Sequence, residues 1–164
     1  MGGRSTVICI MDSMSLLSEL RAITTETGLR MDFLQRMANL IRNSGNYRWV
    51  GLYDVDHAAQ TVAIVVYSGP GAPEFPTFPI TRGLTGGAIR NRTTVSVGDV
   101  SADPRYLTAF GSTQSEIIVP VFDAKGEHVI GTIDVESEHR NAFDHDTQRV
   151  LEECARIIAP LWQR

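Results

Sequence analysis

SEIIVPVFDAKGEHVIGTIDVES, residues 115–137, reads as two strands joined by a tight turn. SEIIVPVFD (115–123) and EHVIGTIDVES (127–137) are rich in β-branched residues and flank Ala124-Lys125-Gly126, which predicts an antiparallel hairpin. Successive strand side chains point to opposite faces, so Asp134 and Glu136 share one face. Glu116 begins the partner strand, and with it three carboxyls can cluster. Clustered carboxylates repel one another unless a cation, an amine or hydrogen-bond donors compensate. Two readings stay open: a binding site, or acids bonded to backbone N–H groups that pin the long loop 99–114.

Working outward, the period of two recurs in YRWVGLYDVD (47–56), where Tyr47, Trp49, Gly51 and Tyr53 face one way and Val50 and Leu52 the other. TVAIVVYSG (61–69) is a second strand, carrying Tyr67, across a short hairpin loop. Residues 69–80 (GPGAPEFPTFPI) hold four of the seven prolines, so they form a loop or an edge strand. Val95–Val97 makes a brief strand. The turn-rich segment 99–114 follows, with one helical turn expected around Pro104–Leu107. Helical spacing appears over Leu16, Leu20 and Ile23, from an Asp12 or Ser13 cap to about Thr27. It recurs from Arg30 to Asn43, over about Leu84–Asn91, and from an Asp144 cap to about Trp162. The last stripe includes Cys154, most simply a core thiol. Residues 1–11 read as a flexible start and 12–164 as a single domain. The predicted class is α+β: an antiparallel sheet of about six strands, terminal helices on one face, loops and short helices covering a ligand on the other.

TRGLTGGAIR (81–90) places three glycines before a helix. It lacks the lysine and hydroxyl of a phosphate loop and the spacing of a dinucleotide fingerprint. No GxSxG nucleophile elbow occurs, and neither Cys9 nor Cys154 adjoins a histidine. The four histidines lack metal-ligand spacing, so no metal is expected. The chain has 164 residues and a formal net charge of -4, which disfavours nucleic acid and polybasic membrane contact. No apolar run approaches bilayer length, and a cytoplasmic protein is expected. Trp49 and Tyr53, four apart on a strand, share a face, and Tyr67, Phe75, Phe78, Tyr106 and Phe110 supply further rings for a pocket or a core.

RGLTGGAIRNRTTVSVGDV, SADPRYL, SEIIVPVFDAKGEHVIGTIDVES and FDHDTQRVLEECARIIA, in this order and spacing, resemble the GAF domain, a small-molecule sensor module of bacterial signalling. The resemblance covers about residues 13–162. It implies the sandwich above, a pocket roofed by the long loops and a homodimer through the terminal helices. WVGLY (49–53), RGLTG (82–86) and SE…DVES (115–137) are similar to the free methionine-(R)-sulfoxide reductases, stand-alone GAF domains. That resemblance matches Trp49, Tyr53, Glu116, Asp134 and Glu136 to binding residues of those enzymes, and the expected ligand shell adds Tyr67, Phe75, Phe78, Leu84, Thr85, Ile89, Asp99, Tyr106, Ala109, Phe110 and Ser115. Those enzymes work through thiols. Here the corresponding places hold Phe75, Thr85 and Ala109, and Phe110 replaces the acid after the catalytic cysteine. The expectation is therefore a small-molecule sensor without cofactor, and not an enzyme. Its alternatives are a diverged reductase and a ligand-free dimerisation module.

Overall fold

The computed structural model describes residues 12–108 and 110–163. Strands β1 (Trp49–Asp56), β2 (Thr61–Ser68), β3 (Thr77–Pro79), β4 (Val95–Val97), β5 (Ser115–Phe122) and β6 (Val129–Ser137) form one antiparallel sheet in the order β3-β2-β1-β6-β5-β4. The 115–137 hairpin lies inside this sheet. The proline-rich segment contributes the edge strand β3, as its lack of N–H donors requires.

Helices α1 (Ser13–Thr24), α2 (Arg30–Gly45) and α4 (His145–Ile158) cover one face. Their stripes of Leu16, Leu20, Leu34, Met37, Ile41, Leu151 and Ile158 meet Val50, Leu52, Ile117, Val119, Ile133 and Val135 of the sheet. Each such side chain contributes about 1.5–3 kcal/mol on burial, so this layer holds most of the fold's stability. The two aspartates expected as caps act as caps: Asp12 accepts from Ser15 N at 2.9 Å and Asp144 from Thr147 N at 2.8 Å. Cys154 is buried in this layer, as expected.

Several boundaries differ from the sequence reading by a few residues. α1 stops at Thr24 because the Thr24 and Thr25 hydroxyls donate to the carbonyls of Arg21 and Ala22 and compete with the helical ladder. α4 gives way at Ile158 to the 3-10 turn Ala159–Gln163, since Pro160 cannot donate and its ring crowds the preceding turn. Near Pro104–Leu107 the expected turn is a single one, Tyr106 N donating to Asp103 O at 3.1 Å, and a 3-10 turn precedes it at Val100–Ala102, where Asp99 accepts from Ser101 N. Tyr47 also departs from expectation. It precedes β1 and packs on Phe143, on the helix side, instead of joining Trp49 and Tyr53.

The opposite face carries α3 (Gly83–Asn91) and the two long segments. Gly83 has φ +72, which starts α3 in the left-handed region that glycine tolerates. A methyl on Gly86 would overlap the Thr81 carbonyl carbon and lie 2.6 Å from its oxygen, both backbone. We expect Gly86→Ala to cost about 1–3 kcal/mol through overpacking. At Gly87 the nearest atom is the Arg105 guanidinium at 3.5 Å, and Gly87→Ala should be neutral or gain up to about 1 kcal/mol of helix propensity. Urea denaturation of both variants checks this; equal effects would contradict the packing described.

Candidate functional site

Register assembles the site. Glu116 stands opposite Glu136, Trp49 opposite Glu136, Gly51 opposite Asp134, and Tyr53 opposite Thr132. Strand alternation therefore turns Trp49, Tyr53, Glu116, Asp134 and Glu136 to the face away from the helices. Gly51 leaves space between two rings: a methyl there would overlap the Trp49 ring and lie 2.9 Å from Tyr53. The Trp49 and Tyr53 centroids are 6.4 Å apart, and Phe78 meets Tyr53 edge-on at 5.8 Å.

All three acids are buried, and one oxygen of each lies within 4.8 Å of the others. Thr113 Oγ1 donates to Glu136 Oε2. Glu116 Oε2 and Asp134 Oδ1 are buried with no donor among the described residues. Burial, then the charges of Asp134 and Glu136, push Glu116 well above the usual carboxylate range. Burial, then Glu136, does the same to Asp134. Burial lifts Glu136 to about 7, against the opposing pull of Thr113 and Arg48. Burial and the three acids also raise Tyr53. Near neutral pH the cluster thus holds protons it would release in water. Chemically it can donate a proton to an oxygen acceptor, receive an ammonium, or surround one small cation with carboxylate oxygens.

The roof is apolar. Pro73, Phe75, Phe78, Leu84, Thr85 and Leu107 close over Tyr53 and the acids, leaving a cavity of about 30 Å³. The proline-rich segment is tied down by Trp49 Nε1, which donates to Gly71 O at 3.0 Å, and Arg82 lies 5.0 Å above the Phe75 ring. Phe110 packs 5.7 Å from Trp49 and beneath Arg48. Ile89 joins the cluster of Trp49 and Tyr53 outside the cavity, and Tyr106 packs with Leu84, Ala88 and Ile118.

Several expected shell residues point elsewhere. Tyr67 stacks on the outer side of Trp49 at 6.1 Å and is 36% exposed. Asp99 is engaged by Ser101 and Arg140, and caps the 3-10 turn. Ser115, one residue before Glu116, has the opposite parity, and its hydroxyl donates to His139 O. Ala109 lies outside the described residues. Pro73, Leu107 and Thr113 join the site without being anticipated by the sequence. They sit in segments with no period, and only the apolar character of Leu107 within a turn-rich loop hints at a roof. Among the described residues the cavity has no cysteine. Cys154 lies behind the sheet, its thiol pushed up by burial to about 12, and Cys9 lies outside the described residues. No helix among the described residues is long and apolar enough to cross a membrane.

A six-stranded antiparallel sheet with helices on one face and a loop-roofed pocket on the other is the architecture of a GAF-type domain. Residues 30–160 match the profile of the GAF domain, and the chain belongs to that family. It is similar to the crystal structure of free methionine-R-sulfoxide reductase from Neisseria meningitidis in complex with its substrate, with 30% identity and a TM-score of 0.83 over 92% of this chain and 88% of that one. The free methionine-R-sulfoxide reductase of Saccharomyces cerevisiae is 29% identical over 67% of this chain and 60% of that protein. GAF domain-containing protein A of Dictyostelium discoideum is 26% identical over 88% of each. These relationships correct the expectation that the chain is not an enzyme. That expectation weighs the side chains at Phe75, Thr85 and Ala109 above the remainder of the domain, whereas structural neighbours and a sequence relative are reductases.

Proposed function

We propose that the cavity above Glu116, Asp134 and Glu136 binds a small free amino acid of the methionine-sulfoxide type. The orphaned oxygens Glu116 Oε2 and Asp134 Oδ1 carry this reading. A buried acceptor without a donor costs about 1–3 kcal/mol, more when charged, and a ligand that supplies N–H donors removes that cost. The aromatic wall of Trp49, Tyr53, Phe75 and Phe78 suits an apolar side chain beside the polar end. A 30 Å³ cavity holds about one water, so Phe75 and Leu107 must swing aside to admit an amino acid. In a signalling role that movement would be the output, passed on through a homodimer of the terminal helices.

A second reading is favoured by the reductase relatives: the bound sulfoxide is reduced. Two thiols would lose two electrons and two protons, forming a disulfide, while the sulfoxide leaves as thioether and its oxygen as water. Cys9 would supply the first sulfur and an added thiol the second. Turnover of free methionine-R-sulfoxide with a dithiol reductant, lost on Cys9→Ser, would support it. Absence of turnover in both proteins would refute it.

The binding reading is tested by thermal shift of dialysed protein against methionine-R-sulfoxide, its S epimer and methionine. A ligand at 100-fold its Kd stabilises by about 2.7 kcal/mol. No shift with any of the three would refute it.

A further inference from the structure

A second concavity lies at the edge of the sheet, along the part of β5 that β4 leaves unpaired, and shares no lining residue with the acid cavity. It is a cleft of about 960 Å³ between the β5–β6 turn, the C-terminal half of α4 and the residues after α3. Its floor is apolar: Val119, Phe122, Ala155 and Ala159. Its rim carries three cations, Arg92, Lys125 and Arg156, and two acids, Asp123 and Glu152.

The acids are already engaged. Asp123 accepts from Glu127 N at 2.8 Å and pairs with His128 at 3.1 Å. Glu152 Oε1 accepts from Thr94 Oγ1 at 2.7 Å and Gln148 Nε2 at 2.9 Å. The cations keep most of their donors. Arg156 gives Nε to Glu153, leaving its two terminal amines. Lys125 forms no ion pair among the described residues. Arg92 is placed by its backbone, at φ 56, and by Phe122, whose centroid lies 5.7 Å from the guanidinium carbon; one N–H goes to Gly126 O. An arginine stacked on an aromatic ring at the mouth of an apolar cleft presents a fixed fork of donors beside a flat platform.

We infer that this cleft is a second ligand site, taking an organic anion: a carboxylate, sulfonate or phosphate on a flat apolar body. The anionic group lies between Arg92, Lys125 and Arg156, and the body rests on Phe122 against Ala155 and Ala159. The volume is in the range of small-molecule pockets. The cleft shares no lining residue with the acid cavity, so both can be filled at once.

The test uses 8-anilinonaphthalene-1-sulfonate and N-phenyl-1-naphthylamine, the same rings with and without the anion, on full-length protein. Saturable fluorescence with the sulfonate, at least about tenfold tighter than the neutral amine and weakened by raising salt, is the expected result. Amide shifts should map to Thr94, Phe122 and Ala155 and leave Thr85 and Asp134 unmoved. Arg92→Asn with Lys125→Gln, both exposed positions, should weaken the sulfonate about tenfold and leave the methionine-sulfoxide response unchanged. Equal binding of the two probes, shifts confined to the acid cluster, or indifference to the double substitution would each overturn the inference.

Discussion

Between pH 5 and pH 8 the ligand-free protein should lose about 3 kcal/mol of stability. Glu136 alone accounts for a change of that size, because its folded value of about 7 stands well above the 4.5 of an exposed glutamate and each tenfold gain in proton affinity is worth about 1.4 kcal/mol. For a raised acid the native state binds more protons than the unfolded chain across this window. Stability therefore falls as pH rises from the unfolded value through the folded one and levels off above it. Glu116 and Asp134 are raised in the same direction and deepen the loss. The half-buried acids Asp99 and Asp123 and the exposed Asp144 are lowered instead, by Ser101, by the Glu127 N–H and by the Thr147 N–H respectively, so they act below about pH 4 and leave this window alone. Urea unfolding at unit steps of pH measures the profile. A flat or rising curve from 5 to 8 would mean the three acids are not clustered and buried as described.

Replacing Asp134 by asparagine should separate stability from binding. The substitution removes one member of a repelling set and supplies amide donors toward Glu116, so the ligand-free variant should be more stable than wild type at pH 8 and less sensitive to pH. The same change removes an acceptor for the ligand, at a cost of about 1.5–3 kcal/mol in affinity for a charged hydrogen bond. The thermal shift with methionine-R-sulfoxide should then shrink or vanish. Most substitutions that abolish binding also weaken a fold, so a variant that gains stability and loses its ligand is diagnostic. Unchanged affinity in Asp134→Asn would place the ligand elsewhere.

Much of the architecture is written in short-range pattern. The alternation of Trp49, Gly51 and Tyr53 against Val50 and Leu52 assigns two faces to β1, and those faces are the pocket side and the helix core. The two-residue spacing of Asp134 and Glu136, with Glu116 opposite Glu136 on the hairpin's other strand, fixes the acid cluster, because strand register leaves little choice once the hairpin is closed. The same parity rule excludes Ser115 from the pocket, and its hydroxyl turns to His139. Asp99 leaves the expected shell for a local reason: an aspartate two residues before a serine satisfies itself through Ser101. The roof is the illegible part. Pro73, Leu107 and Thr113 come from segments held by tertiary contacts such as Trp49 Nε1 to Gly71 O, and no periodicity announces such a contact. The basic cleft is equally hard to read, since Arg92, Lys125 and Arg156 come from three separate elements.

A crystal structure of the protein grown with saturating L-methionine-R-sulfoxide tests the binding site most directly. The predicted result is ligand density on Glu116, Asp134 and Glu136, with Phe75 and Leu107 displaced from the closed positions they hold over a 30 Å³ cavity. Those side chains still closed over the acids, with the ligand absent or bound only elsewhere, would contradict it.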